Sequence, residues 1–288
     1  MAISHISFWQ GFENEADLHQ IFSYILADLP RPLLLCSVFG PPPPSDYKGV
    51  LVTYSGEAFN RDFDNAINLN MSPHAAPNTI PVHLFSMTAY RNNAWTCLQT
   101  RQLPRTADLH TKFCAFVVGN GGVYARNRFM QKLSQYRQVD SCGSFMNNIG
   151  MQAPGKNCGD PEYWNFMSKY KFNICFENTN QKNYITEKLF NAYMGGSIPV
   201  YWGTSGQVLE WFNPRAFLYL EDASEEAMDA LIEKIRIIDN DDALFKEMIS
   251  QPLLSGDIPR DMNKDTWKTK IRDIYLRNQT KLEVENGS

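Results

Sequence analysis

Short apolar runs alternate with amphipathic stretches along most of this chain. The runs have the length of buried strands and occupy residues 3–9, 33–39, 50–54, 113–118, 172–176, 198–201 and 217–220. Between several of them, apolar residues recur three and four positions apart, the spacing of a helix with one buried face, as at Leu18, Ile21, Phe22 and Ile25. Strands that alternate with helices in this way predict parallel sheets and an α/β fold.

The regular pattern is interrupted between residues 65 and 105. In this segment only residues 82–87 have the composition of a strand. A length of 288 residues suits about two domains, and the interruption provides the division between them. The sequence therefore predicts a first lobe, a second lobe, a helix and a flexible polar tail, over residues 1–105, 106–262, 263–280 and 281–288.

Composition narrows the classes of function. The chain carries 27 basic and 31 acidic residues, a net charge of −4, whereas nucleic-acid-binding proteins normally carry a basic surplus. No apolar run approaches the ~20 residues that cross a bilayer, and no signal peptide is recognisable, so we expect a soluble, cytoplasmic protein. Six scattered cysteines form no C-x-x-C pair, which predicts reduced thiols and no zinc site.

Polar and charged side chains suited to binding a phosphate concentrate in residues 170–203. A strand, a polar loop, a helix start near Thr186 and a second strand follow one another there. Ligands bind open α/β sheets at the carboxyl ends of the strands, and a helix N-terminus favours a phosphate. Lys188, in the first helical turn, adds a cation. Glu187 beside it either complements the helix dipole or accepts ribose hydroxyls.

Three stretches of this segment carry a family signature, namely residues 171–179 (KFNICFENT), 184–188 (YITEK) and 198–203 (IPVYWG). Together they resemble the signature of the α1,3/α1,4-fucosyltransferases, in which a strand ending in F-E-N precedes Y-(I/V)-T-E-K and a strand ending in glycine. Similarity continues in the family's order at residues 54–57 (YSGE), 60–67 (NRDFDNAI), 113–118, 126–127 (RN) and 139–143 (VDSCG). The resemblance covers about residues 50–260.

The resemblance implies two Rossmann-like lobes facing a cleft, the GT-B plan of glycosyltransferases. It implies that the second lobe binds the donor GDP-fucose and that the first binds an oligosaccharide or glycoprotein glycan as acceptor. At the matching positions, Arg126 and Lys188 would neutralise the diphosphate and Tyr184 would donate to a phosphate oxygen. Glu187 would hold the ribose hydroxyls, and Asn178 would line the region of the sugar and diphosphate.

The resemblance also assigns a general base, Glu57, which follows the strand over residues 50–54. Transfer with inversion needs a group that takes the proton of the acceptor hydroxyl as the attack begins. No histidine follows His110, so the second lobe offers no histidine base. A carboxylate at a strand end can serve instead, and Glu57 with Arg126 and Lys188 forms the predicted catalytic set.

Three functions stay open at this point. The first is an inverting fucosyltransferase that uses GDP-fucose, and the second is a transferase on the same scaffold with another donor, such as UDP-xylose. The third is a non-catalytic carbohydrate- or nucleotide-binding module. Acceptor, linkage and oligomeric state are open. The lack of an anchor suggests a soluble microbial or viral member of the family, or a trimmed chain.

Two further residue groups bear on the site. Asp62 and Asp64 form a D-x-D pattern, which holds a divalent metal in another class of glycosyltransferase. Because it falls in the first lobe, within a stretch that resembles a family element, we interpret it as structural and predict no bound metal. Whether a divalent cation stimulates turnover is open. Trp202, at a strand end, is the aromatic residue predicted to stack on a sugar.

Overall fold

The computed structural model describes most of the chain, namely residues 3–10, 12–30, 32–59, 63, 66–70, 77–102, 110–152 and 159–286. The chain divides into two compact units. The first contains Met1–Arg91 and Ile258–Ser288, and the second contains Asn92–Asp257. The units part earlier than the predicted division near residue 105, a position that lies outside the described residues. The end of the chain groups with the first unit.

The strands are β1 (Ser4–Ile6), β2 (Leu33–Ser37), β3 (Val50–Ser55), β4 (Ile67–Asn70), β5 (Thr79–Ile80), β6 (Lys112–Val117), β7 (Val139–Cys142), β8 (Tyr170–Ile174), β9 (Ile198–Tyr201) and β10 (Leu218–Tyr219). The helices are α1 (Ala16–Ile25), α2 (Leu84–Arg91), α3 (Trp95–Thr100), α4 (Tyr124–Tyr136), α5 (Pro161–Met167), α6 (Glu187–Met194), α7 (Val208–Trp211), α8 (Glu225–Asp239), α9 (Asp242–Ile249) and α10 (Lys264–Asn286). Short 3₁₀ helices lie at Phe12–Asn14, Thr204–Gly206 and Arg260–Met262.

The first unit is built on a parallel sheet whose strands follow chain order, β1-β2-β3-β4-β5. The apolar face of α1 packs in its core as the helical spacing predicts. Three apolar residues of α10, Trp267, Ile271 and Ile274, belong to the same core. This burial explains why the end of the chain groups with the first unit rather than the second.

The second unit contains a second parallel sheet, with the order β10-β9-β8-β6-β7. The chain leaves β6 towards β7 on one side, then crosses to β8 on the other side and continues to β9 and β10. The strand order therefore reverses between β6 and β8. Ser224 caps α8 by accepting a hydrogen bond from the Ala227 N–H. Two parallel sheets with helices confirm the predicted α/β fold class, whereas the cleft between lobes stays a prediction.

Two local predictions, for residues 82–87 and for the last helix, differ from the structure. Residues 82–87, predicted as a strand, belong mostly to α2. Residues 139–143, which resemble a family element, contain β7, and Asp239 is a buried residue whose carboxylate pairs with Arg137 and Lys171. The last helix continues to Asn286, past its predicted end at residue 280, because no glycine or proline interrupts it before residue 287.

The sequence also predicts reduced cysteines and no membrane-spanning segment. Cys97, Cys114, Cys142 and Cys175 are free thiols, Cys36 is buried in β2, and Cys158 lies outside the described residues. Burial raises the pKa of Cys142 to about 11, so this thiol stays protonated and unreactive at neutral pH. Within the described part of the chain, no helix is both long and apolar enough to cross a membrane.

His83, just before α2, couples the stability of the first unit to pH. Its side chain is completely buried, and this burial lowers the pKa from 6.5 to about 4. Between about pH 6.5 and pH 4, His83 therefore binds a proton in the unfolded chain but not in the folded chain. The stability that His83 contributes is complete above that pH and is lost as the pH falls towards 4.

We expect the free energy of unfolding to fall by about 1.4 kcal/mol per pH unit in that window, about 3 kcal/mol in all, through this residue alone. Urea unfolding at several pH values measures the slope. In His83→Gln the slope should be smaller by that amount, although the variant is less stable at neutral pH. A variant that keeps the full slope would show that other groups cause the loss.

Candidate functional site

The reversal of strand order in the second unit defines the place where a ligand is expected. Neighbouring strands whose connections leave in opposite directions open a crevice at their carboxyl ends, and ligands of open α/β sheets bind there. In this unit the strands are β6 and β8. Residues 118–123 follow β6 and lead into α4, and residues 175–186 follow β8 and lead into α6. Both connections carry predicted site residues.

Arg126, in the first turn of α4, is a buried cation that forms no salt bridge with any described carboxylate. It is 3% exposed; Nη1 donates to Asn178 Oδ1 at 2.9 Å and Nη2 to the Asn120 carbonyl at 2.5 Å. Its Nε is buried and has no hydrogen-bond partner among the described residues, and none of their carboxylates forms a salt bridge with it. Burial lowers the pKa of Arg126, while the negative charge of Glu177 opposes this effect. Such a group is suited to an anion that supplies the missing charge.

Glu177 lies at the centre of the connection that follows β8, with no exposed surface. Oε1 accepts hydrogen bonds from the Thr186 N–H at 2.7 Å and the Tyr201 hydroxyl at 3.2 Å. Oε2 accepts from the Thr186 hydroxyl at 2.7 Å and the Lys188 ammonium at 3.2 Å. The sequence prediction placed Glu177 in the family motif but gave it no role. The available signal was an acid at the end of an apolar strand, a position that needs a buried partner.

Lys188 is not the isolated cation that the sequence suggests. Its Nζ contacts Glu177, donates to the Thr186 hydroxyl at 2.8 Å and lies 3.9 Å from Glu187 Oε1. Burial disfavours the charged form, but the carboxylates of Glu177 and Glu187 outweigh it, so the pKa of Lys188 is raised. The side chain is still 25% exposed, whereas that of Glu177 is fully covered. Lys188 can therefore meet a ligand and Glu177 cannot.

The start of α6 adds backbone donors to the same place. Thr186 precedes the helix in an extended conformation and makes no side-chain cap; its hydroxyl donates to Glu177 and accepts from Lys188. The first N–H groups of a helix have no partner within the helix, and the positive end of its dipole favours an anion. A ligand oxygen at this end of α6 would therefore be stabilised.

The structure brings the other predicted residues of this unit to the same region. Asn178 is exposed and holds Arg126, and the side chain of Glu187 is partly exposed beside Lys188. Tyr184 is 1% exposed and interacts electrostatically with both Arg126 and Lys188. Because Tyr184 is buried, its hydroxyl can contact only a ligand that enters the loop between β8 and α6. The individual roles of these residues stay predictions.

Trp202 follows β9 and is mostly covered. Its ring packs near Phe176, with the ring centroids 6.1 Å apart, and is 9% exposed. A sugar therefore finds little of its face available for stacking. Its Nε1 is buried and has no hydrogen-bond partner among the described residues. Trp202 thus packs against Phe176 and does not offer an open face on which a sugar could stack.

Gly203 separates Trp202 from the next turn and lies against Glu177. Its φ is +150°, and a Cβ at this position would lie 2.7 Å from Glu177 Cγ and 2.9 Å from the Tyr201 hydroxyl. Gly203→Ala should lower stability by about 1–3 kcal/mol, because a crowded core cannot absorb the extra methyl group. It should also weaken the binding of anions by displacing Glu177 and Lys188.

Gly256→Ala provides the matched control, because nothing lies within 4 Å of its added Cβ. Thermal unfolding and nucleotide titration of both variants measure the two effects. Equal behaviour of the two alanines would show that the contact between Gly203 and Glu177 has no importance.

Glu57, the predicted base, lies in the first unit. It follows β3 at the carboxyl edge of the sheet, is partly exposed, and its N–H donates to Ser55 Oγ at 3.2 Å. Asp62 and Asp64 of the D-x-D pattern lie outside the described residues. Among residues that the structure does describe, no group of three or more His, Cys, Asp or Glu side chains is arranged to hold a metal ion.

Comparison with known proteins connects this site to one family. The sequence model of glycosyltransferase family 10 (fucosyltransferase), C-terminal part, matches residues 107–250, half of the chain. The chain is 40% identical over 119 residues to alpha-(1,3)-fucosyltransferase FucT of Helicobacter pylori, covering 41% of this chain and 23% of that protein. It is 31% identical over 171 residues to the putative fucosyltransferase R654 of Acanthamoeba polyphaga mimivirus, covering 57% and 28%. The chain thus spans about a quarter of the length of these two relatives.

Solved structures agree with the fold. The structure of an alpha1,3-fucosyltransferase with GDP superimposes with a TM-score of 0.73 at 21% identity, covering 96% of this chain and 90% of that one. A structure of alpha1,3-fucosyltransferase with GDP-fucose gives the same TM-score at 20% identity. At such low identity the superposition establishes the fold, which is the predicted GT-B fold class.

Proposed function

Because this chain belongs to glycosyltransferase family 10, the fucosyltransferases, we propose that it transfers L-fucose from GDP-fucose to a hydroxyl of a glycan acceptor. The observation that carries the proposal is Arg126. A buried guanidinium that lacks a carboxylate partner among the described residues lies where the strand order of the second unit reverses. A diphosphate is the ligand that supplies both the missing charge and hydrogen-bond acceptors.

The charge of the site suits a leaving group that becomes more negative. When the bond between fucose and GDP breaks, the electron pair passes to the β-phosphate, and a cation there lowers the barrier. Arg126, which has no salt-bridge partner among the described residues, supplies positive charge, while Lys188 and the start of α6 supply directed donors. Tyr184 donates to a phosphate oxygen, Glu187 accepts the ribose hydroxyls, and Asn178 holds Arg126 at the sugar and diphosphate.

Glu57 acts as the general base in this proposal. The acceptor oxygen attacks the anomeric carbon of fucose from the side opposite GDP and loses its proton to the Glu57 carboxylate. One carbon–oxygen bond forms as the other breaks, so the configuration inverts. The products are the fucosylated glycan and GDP. The position at the carboxyl edge of the first sheet and the family resemblance of residues 54–57 support this role.

The acceptor is proposed from the names of relatives. The chain is 28% identical over 189 residues to human 4-galactosyl-N-acetylglucosaminide 3-alpha-L-fucosyltransferase 9, covering 62% of this chain and 50% of that protein. A galactosyl-N-acetylglucosaminide is therefore the acceptor to examine first. The same experiment identifies the acceptor hydroxyl to which fucose becomes linked.

The test is a transfer assay with separated products. GDP-fucose or UDP-xylose is incubated with the enzyme and a panel of glycans that includes the galactosyl-N-acetylglucosaminide. We expect fucosylated product and free GDP from the first donor and no product from the second. Transfer of xylose instead would support the other donor, and GDP-fucose binding without transfer to any glycan would support a non-catalytic module. Parallel reactions with EDTA show separately whether a divalent cation stimulates turnover.

A further inference from the structure

The Glu177 carboxylate connects three parts of the second unit. Its four hydrogen-bond donors are the Thr186 N–H, the Thr186 hydroxyl, the Tyr201 hydroxyl and the Lys188 ammonium. They come from the end of β9, the connection before α6 and the first turn of α6. Two donors on each oxygen leave the carboxylate nearly saturated, so its position is fixed by the fold rather than by a ligand.

This arrangement also fixes the lysine. The ammonium of Lys188 is held on one side by Glu177 Oε2 at 3.2 Å and by the Thr186 hydroxyl at 2.8 Å. That hydroxyl in turn donates to the same carboxylate oxygen. A flexible lysine side chain is thereby restricted to one geometry before any ligand arrives, and binding need not order it.

We propose that Glu177 is a positioning residue that acts through Lys188, keeping its ammonium charged and fixed at the place where it meets the diphosphate. The inference rests on the proposed function, because it assigns the binding of GDP to this site. Glu177 has no exposed surface and touches no substrate. Its effect on GDP must therefore pass through the groups that it holds.

The charges around Lys188 give this inference a pH signature. The titratable groups that face Lys188 or its carboxylate partner are Glu177, Glu187, Tyr184, Tyr201, Cys175 and Arg126. Burial lowers the pKa of Lys188, and the two carboxylates raise it by more. Without the charge of Glu177 the pKa must fall. The ammonium is then lost, and with it GDP affinity, at a less alkaline pH.

Glu177→Gln removes the charge and keeps the shape. Its amide offers one acceptor oxygen in place of two and carries no charge, so Lys188 loses its ionic partner and the arrangement of donors that fixes it. We expect GDP to bind about tenfold more weakly at neutral pH, and the alkaline loss of affinity to begin about one pH unit lower than in the wild type. Tyr201→Phe is the matched control, because it removes one hydrogen bond to the same carboxylate and leaves every charge in place. It should keep the wild-type alkaline profile.

A double-mutant cycle distinguishes positioning from general support of the fold. If Glu177 acts through Lys188, then Glu177→Gln should cost about tenfold in GDP affinity in the wild type and less than about twofold in Lys188→Met. Equal losses in the two backgrounds, or an unchanged alkaline profile, would overturn the inference. A wild-type protein that does not bind GDP would instead overturn the proposed function, so the two failures are distinguishable.

A measurement on the wild type covers the case in which Glu177→Gln does not fold. The Lys188 side chain, assigned by comparison with Lys188→Met, is followed by NMR as the pH rises. We expect Lys188 to lose its proton only at a pH above the ordinary lysine value of about 10.4. Deprotonation at or below about pH 10 would overturn the inference.

Discussion

Replacing Arg126 by alanine is expected to weaken GDP binding about a hundredfold or more, the largest loss of any single change in the second unit. The guanidinium donates to neutral oxygens of Asn178 and Asn120, and neither of these acceptors neutralises its charge. Lys188 cannot replace it, because two carboxylates already surround that ammonium. The diphosphate would meet a site whose fixed charge is negative.

The same variant should not be less stable. A buried cation that has no carboxylate partner in the described part of the chain costs desolvation energy, so removing it should leave the unfolding temperature unchanged or higher. Thermal unfolding without ligand and calorimetric titration with GDP measure the two properties. A loss of affinity that accompanied a loss of stability would indicate misfolding rather than a missing ligand contact.

Arg128→Ala is the control on the same helix. Arg128 lies two positions along α4, and its guanidinium pairs with Glu225 at 2.7 Å. Its removal should leave GDP affinity within about twofold, because exposed ion pairs contribute little and its charge is already compensated. Equal losses in the two variants would contradict a specific role for Arg126 and would indicate a general effect of positive charge.

Glu57→Gln is expected to lower turnover by about 10²–10⁴-fold, the usual contribution of a general base, with GDP affinity unchanged. The amide has nearly the same size, but it cannot take a proton from the acceptor hydroxyl. Because Glu57 lies in the first unit and the residues assigned to GDP lie in the second, binding and turnover should separate. Initial rates with GDP-fucose and titration with GDP measure both.

Asp17→Asn is the control for this variant. Asp17 is an exposed acid on α1 of the same unit and has no role in the proposal. Its turnover should equal that of the wild type. If Glu57→Gln lost GDP affinity, or turned over at the wild-type rate, then another residue would be the base.

The elements that the sequence predicts best are those with continuous apolar runs. β2, β3 and β9 begin or end within two residues of their predicted bounds, because each run is bounded by glycine, proline or polar residues. Residues 82–87 were predicted wrongly, because an apolar segment of six residues has no period that distinguishes a strand from a helix start. β7 carries only two apolar residues, and the signal of a strand is correspondingly weak.

The site was predicted as a set of residues but not as a geometry. The motif over residues 184–188 placed Lys188 at a helix start, and the structure confirms that position. The bond from Arg126 to Asn178 joins residues 52 positions apart, and it exists because β6 and β8 are neighbours. Hydrophobic periodicity gives no strand order. The pairing of Lys188 with Glu177 was missed because it depends on the path of the loop between β8 and α6, which has no periodic pattern.

Equilibrium titration of the whole chain with GDP, GDP-fucose, UDP and UDP-xylose tests the proposal that this chain binds GDP-fucose. We expect saturable binding of GDP and GDP-fucose at the same site, shown by competition between them, and much weaker binding of both uridine nucleotides. Arg126→Ala should weaken the binding of GDP and GDP-fucose about a hundredfold or more, because Arg126 contacts the diphosphate. Tight binding of UDP-xylose with no binding of GDP, or GDP affinity that is the same in Arg126→Ala, would contradict the proposal.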